Sequence, residues 1–257
     1  MDTPALPKAY KINRFLPYWA VFQADLKQNL RSWLFRAWVF LSLAAAFGYM
    51  LYRYGAKQVG FIQPASTLIS ELLTYVVLGT VTIILMLTGG TICSERGTMA
   101  DSVLSRGISR FQYFFGKWHA RLAAILGSYL VMSIIVMVSA YCLLHGESLS
   151  LWGAAVAILA VGAILAVVIT IGVTLSALVN TTMVSIAIGW MLVNASCFLL
   201  SMLPDNYPTP DRMLKNLPNI LRGMFDLTMM SRFIGISLGV SLAVALVGMV
   251  LFARRDV

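Results

Sequence analysis

The residues best equipped for chemistry in this sequence are a Gly-Lys pair, two histidines, three cysteines and a few carboxylates. None stands where catalysis would need it. Gly116-Lys117 is followed by Trp118 and lacks the upstream glycine of a phosphate-binding loop, so it forms no nucleotide cradle. His119 and His145 fall at opposite ends of one apolar run and make no metal-binding pair. Cys93, Cys142 and Cys197 lie in or beside apolar runs without paired spacing, which excludes a disulfide framework and a zinc knuckle. Glu71 and Glu95 bracket another apolar run and read as helix-end anchors. Proton and ion relays usually place an ionisable group inside a span, and the sequence predicts none there. A non-enzymatic chain follows, with no catalytic, cofactor or metal residues.

Softer polar groups remain. Thr74, Thr80, Thr82 and Thr88 share one apolar run, and Asn194, Ser196 and Ser201 share another. Of these, Thr74, Thr82, Asn194 and Ser196 are candidates for lining a polar path through the membrane. The competing reading is that such side chains bond back to their own helix. Gly235 and Gly239 have the spacing that lets two membrane helices approach closely, which serves packing or dimerisation.

The elements that carry these residues are set by composition. Of 257 residues 60% are hydrophobic and 11% charged, whereas soluble domains carry about 25% charged residues. A spanning helix needs about 20 apolar residues. With charged residues as rulers, spans are expected at 37–54, 70–94, 121–145, 151–179, 183–203 and 231–253. The uncharged stretch from Ser148 to Pro204 is too long for one helix, and the polar triplet Asn180, Thr181, Thr182 divides it. The fold class is therefore all-α: a polytopic membrane protein with six transmembrane helices in a single membrane domain over 1–257. The segments lack the short alternation of a membrane barrel.

Net charge is +9, and the basic residues bracket apolar runs instead of forming a patch, which favours lipid contact over nucleic acid. With six spans both ends share one side. That side carries thirteen Lys and Arg against six on the other, so both termini are expected in the cytoplasm.

Three segments do not span. Residues 15–35 form an amphipathic interfacial helix, with Trp19, Phe22, Leu26, Leu30 and Trp33 on one face and Asp25, Lys27, Gln28, Arg31 and Ser32 on the other. The inner loop 95–120 has room for a short helix over Met99 to Ser105. Gly107 breaks that helix, and Ser109 can cap the next. Such a finger suits docking into a groove of another protein. The outer segment 204–230 carries apolar residues at helical spacing, and Pro218 is expected to split it into two short helices.

From Glu95 onward the chain resembles the permease subunits of ABC-2-type exporters. The resemblance rests on Glu95-Arg96, Gly97-Thr98, Val103-Leu104-Ser105, Ile108-Ser109-Arg110 and Gly116-Lys117, and on the closing Phe252, Arg254, Arg255, Asp256. Gly107 stands where the family usually has Pro. The resemblance implies the transmembrane subunit of an ATP-binding cassette exporter, in a prokaryotic plasma (inner) membrane. Two such subunits, a homodimer or a pair of related permeases, would join two copies of a separate ATPase that binds ATP and Mg. Glu95, Arg96, Gly97, Thr98, Met99, Asp101, Ser102, Val103, Leu104, Ser105 and Arg106 would form the cytoplasmic coupling helix that meets the ATPase. The short outer helices between the fifth and sixth spans would cap the exit. Two other readings compete: a non-transporting membrane anchor or assembly factor that recruits a soluble partner, and an ion-coupled secondary carrier. The latter would show inverted repeats and embedded charges.

Overall fold

A computed structural model describes residues 15–58, 64–95, 108–143, 149–204 and 207–254. Among them the chain forms eight α-helices and no strand: α1 (Leu16–Arg31), α2 (Trp33–Gln58), α3 (Ala65–Gly89), α4 (Arg110–Leu143), α5 (Leu151–Leu178), α6 (Thr182–Ser201), α7 (Pro210–Leu221) and α8 (Leu227–Arg254). A 3-10 turn, Cys93–Glu95, follows α3. Six of these helices, α2 to α6 and α8, are long and apolar enough to cross a membrane. The six-span plan read from the sequence is borne out at that level.

Charged residues end an apolar run without ending a helix, and several helices outrun the windows drawn from them. α4 starts at Arg110, eleven residues before the charge used as its ruler, because Ser109 and Gln112 build its first turn. The Ser109 hydroxyl accepts from the Gln112 amide at 3.2 Å, and the Gln112 side chain accepts from the Ser109 amide at 3.1 Å. This reciprocal pair satisfies two amides that a helix start leaves open, and it realises the cap expected of Ser109. The division between the fourth and fifth spans also falls as expected: α5 ends at Leu178 and α6 begins at Thr182.

α5 is the central helix. Sixteen of its 28 residues are buried, and its small residues let neighbours approach. A β-carbon on Gly172 would lie 2.0 Å from Thr88 Oγ1 of α3, and one on Gly248 of α8 would lie 2.4 Å from Thr174 Cγ2. Polar bonds join the same layers. Trp118 Nε1 of α4 donates to Thr170 Oγ1 at 3.0 Å, and Thr170 Oγ1 lies 2.7 Å from Ser241 Oγ of α8.

At one end of the bundle α7 lies across α3 and α5. Met213, Leu217, Ile220 and Leu221 are its buried face. It is one helix, not two short ones. Pro218 sits in its final turn, where little helix remains to disrupt, and Pro210 occupies the first turn, where a missing amide costs nothing. Arg222 Nε donates to Ser66 Oγ of α3 at 2.9 Å, and the Ser150 amide donates to the Leu221 carbonyl at 2.9 Å. Gly153 permits the seating, since a β-carbon there would meet the Ile220 carbonyl oxygen at 2.1 Å. Gly223, at φ 83°, turns the chain back toward α8. Near this end Tyr49 of α2 donates to Glu71 Oε2 of α3.

Candidate functional site

The opposite end of α3 carries the densest polar chemistry in the described residues. α1 packs along the first turns of α4, and Gly116 makes the contact possible. A β-carbon on Gly116 would stand 2.9 Å from Val21 Cγ1 and 3.3 Å from the Tyr18 carbonyl oxygen. That closeness brings Asp25 and Asn29, one turn apart on α1, against Lys117 and Arg121, one turn apart on α4. All four are buried.

Lys117 is held from three directions. Its ammonium lies 3.2 Å from Asp25 Oδ1, 2.5 Å from Glu95 Oε2 and 2.9 Å from the Thr91 carbonyl oxygen. Three donors thus meet three acceptors. Arg121 donates to Asn29 Oδ1 at 2.7 Å, to the Leu87 carbonyl at 3.0 Å and to Asp25 Oδ1 at 3.3 Å. Its Nε faces Asp25 Oδ2 at 3.0 Å, an ion-pair distance without hydrogen-bond alignment. Tyr113 donates to Glu95 Oε2 at 2.8 Å. The cluster therefore holds two carboxylates and two cations. Burying charge is tolerated when it is paired and hydrogen-bonded in this way.

Glu95 is positioned from above. Ser176 of α5 accepts from the amides of Ile92 at 2.8 Å and Cys93 at 3.2 Å, which fixes the turn leading into Glu95. The C-terminus of α8 closes the site's far side. Phe252 packs between the rings of Tyr113 and Phe114, at 6.4 and 6.2 Å between centroids, and Arg110 donates to the Ala253 carbonyl at 3.0 Å.

One expectation is corrected here. Asp25 belongs to the buried face of α1, not to its polar outer face. Trp19 and Trp33 of the apolar set are 53% and 80% exposed. The bundle presents Lys117 and Arg121 to α1, so Asp25 and Asn29 turn inward, while Lys27, Gln28 and Arg31 stay exposed. Lys117 and Arg121 lie inside α4 but ahead of its uncharged length. From Leu122 to Leu143 that helix is uncharged for about 33 Å, enough to cross a hydrocarbon core by itself. The charges therefore sit at one end of the membrane-crossing length.

Of the coupling residues expected from the sequence, Glu95 is within this cluster. Arg96, Gly97, Thr98, Met99, Asp101, Ser102, Val103, Leu104, Ser105 and Arg106 lie outside the described residues. The pathway candidates do not gather. Thr74 donates to the Ser70 carbonyl at 2.8 Å, Asn194 to Trp190 at 2.8 Å and Ser196 to Val193 at 2.8 Å, each within its own helix. Thr82 is half-buried on α3. Sequence reasoning missed Asp25, Asn29, Lys117, Arg121 and Tyr113 as one group. The available signal was the pair of matched i, i+4 polar steps, Asp25/Asn29 and Lys117/Arg121.

No protein-family model matches the sequence, and no curated protein matches it. Among the described residues no group of His, Cys, Asp and Glu could hold a metal ion.

Proposed function

We propose that this chain is the membrane subunit of an ATP-driven exporter, and that the buried cluster is the base through which an ATPase moves it. One observation carries the reading: both ends of the 96–107 loop are clamped to a single platform. Glu95, at one root, is held by Lys117 and Tyr113. Ser109 and Arg110, at the other, are held by the capping pair and by the Ala253 carbonyl. A force delivered to the loop passes through Lys117 and Arg121 into α4, and through Asp25 and Asn29 into α1.

The partner would be an ABC ATPase in two copies, carrying ATP and Mg, and the permease would pair with itself or with a related permease. Both termini would then lie in the cytoplasm, with α1 at the inner membrane surface and α7 covering the outer end of α3 and α5. The chain's own chemistry is mechanical. Paired buried charges transmit displacement without spending it on solvation, since separating them exposes each to a poorly polar interior.

Co-purification tests the reading. Tagged full-length protein, extracted from its native membrane, is expected to bring down an ATP-hydrolysing subunit, and Leu104→Glu or Asp101→Arg is expected to release it. If no ATPase accompanies the chain and neither substitution alters activity of the complex, the proposal fails.

A further inference from the structure

Asp25 and Glu95 are the only carboxylates described at the cluster's end of the bundle, and Lys117 and Arg121 engage both. Three further cations of that end stay outside the cluster. Lys27 and Arg31, one turn apart on α1, lie about 200° round the helix from Asp25 and Asn29 and are exposed. Arg36 of α2 is exposed too, and its Nε donates to the Leu30 carbonyl at 3.3 Å, which pins the guanidinium to the last turn of α1. With Asp25 turned inward, no other acid of α1 or α2 balances this trio. The open end of α1 carries about half a negative charge, against three positive ones.

Depth decides what this charge meets. Asn29 accepts from Arg121 at 2.7 Å, and Arg121 is the last charge before the uncharged length of α4. The apolar span of α2 starts at Trp33. Two spans therefore enter hydrocarbon at the level of the last turn of α1. That places Arg31 and the pinned Arg36 at headgroup depth, with Lys27 one turn away. Trp19, Leu30 and Trp33 are exposed beside them. Indole rings favour that depth, and a basic face bordered by Trp and Leu suits a helix seated in an interface. A free anion in water would leave the apolar border uncovered. A zwitterionic headgroup brings no net charge to offset the trio.

We propose that the elbow between α1 and α2 is a binding site for anionic phospholipid. Lys27, Arg31 and Arg36 take the negative headgroups, and Trp19, Leu30 and Trp33 rest against the upper acyl chains. The buried cluster orients the site: by holding Asp25 on the inner face of α1, it leaves the outer face with cations alone. The site stands independently of the proposed ATPase coupling, since it needs only a membrane with negative lipid.

The test follows the thermal stability of full-length protein in detergent as lipid is added, since a ligand of the folded state raises its melting temperature. Phosphatidylglycerol is expected to raise it saturably. Phosphatidylcholine and inorganic phosphate at the same concentration are expected to leave it unchanged. Lys27→Gln and Arg31→Gln are each expected to weaken the apparent affinity for phosphatidylglycerol about fivefold, the size of one basic residue at an anionic surface, and the double variant by the product. Their melting temperatures without lipid should match wild type, because both side chains are exposed. Arg232→Gln, at an exposed cation near the other end of α8, should keep the full lipid response. The proposal is overturned if phosphatidylcholine or inorganic phosphate stabilises as well as phosphatidylglycerol, or if the double variant responds like wild type. It is also overturned if the double variant keeps its lipid response and instead releases a co-purifying protein, which would make the face a protein-docking surface. Failure to recover an ATPase would sink the proposed coupling and leave the lipid response standing.

Discussion

The ammonium of Lys117 lies 3.2 Å from the carboxylate of Asp25, 92 positions earlier in the chain, with both side chains at most 3% exposed. That contact ties the first helix to the fourth. It also sets the terms on which the protein responds to substitution, because a buried charge that loses its partner costs far more than the pair contributes.

Lys117→Met should be severely destabilising, by about 3–5 kcal/mol, since it leaves Glu95 and half of Asp25 uncompensated. Adding Glu95→Gln should recover part of the loss, because Asp25 keeps Arg121. The melting temperature of detergent-purified protein measures both. Equal melting temperatures for wild type and Lys117→Met would show that the pair is not buried as described.

Two glycines should behave differently. Gly116→Ala places a methyl 2.9 Å from the tip of Val21, an overpacking cost of about 1–3 kcal/mol, and Val21→Ala should relieve part of it, since the β-carbon at 3.0 Å remains. Gly153→Ala meets a backbone carbonyl at 2.1 Å. No side-chain truncation can relieve that, so second-site changes at Ile220 should fail. The comparison is read as rescue, or its absence, in thermal stability.

Thr170→Val should cost about 1–3 kcal/mol, the usual penalty for leaving a buried donor unpaired. The residue accepts from Trp118 and lies against Ser241, and the isosteric Val can do neither. Thr170→Ser keeps the oxygen and should stay near wild type. If Val and Ser variants melt together, the hydroxyl is not the linker between α4, α5 and α8.

Ser109→Ala should remove the cap at the start of α4 and cost about 0.5–2 kcal/mol. Its further effect is on the loop root. Under the proposed coupling, the variant should bind the ATPase with the wild-type partner ratio but show weaker coupled ATP hydrolysis. An unchanged hydrolysis rate alongside a lowered melting temperature would confine Ser109 to a structural role.

Legibility in the sequence followed the range of the physics. The number of spans and the turn at Asn180–Thr182 depend on how many consecutive residues can face hydrocarbon, which is a local property. The cap at Ser109 is local as well, since its partner is three residues away. The inner face of α1 was misread for the opposite reason. Its periodicity puts Asp25 on the polar face of an interfacial helix, but periodicity does not say that paired cations wait on that side. Pro218 was read as a breaker because its position in the last turn of α7 was not visible without the helix bounds.

The sequence by itself determined six helices long and apolar enough to span a membrane, because apolar length and helix caps are settled within about twenty residues. Only the tertiary structure decided that Asp25, Asn29, Glu95, Lys117 and Arg121 form one neutral cluster. That outcome needed Gly116 to admit α1 against α4 and Ser176 to hold the turn before Glu95, contacts between residues more than eighty positions apart. Charge pairing in a buried site is set by geometry in three dimensions: the i, i+4 steps put each polar pair on one helix face, and only the packing made the two faces meet.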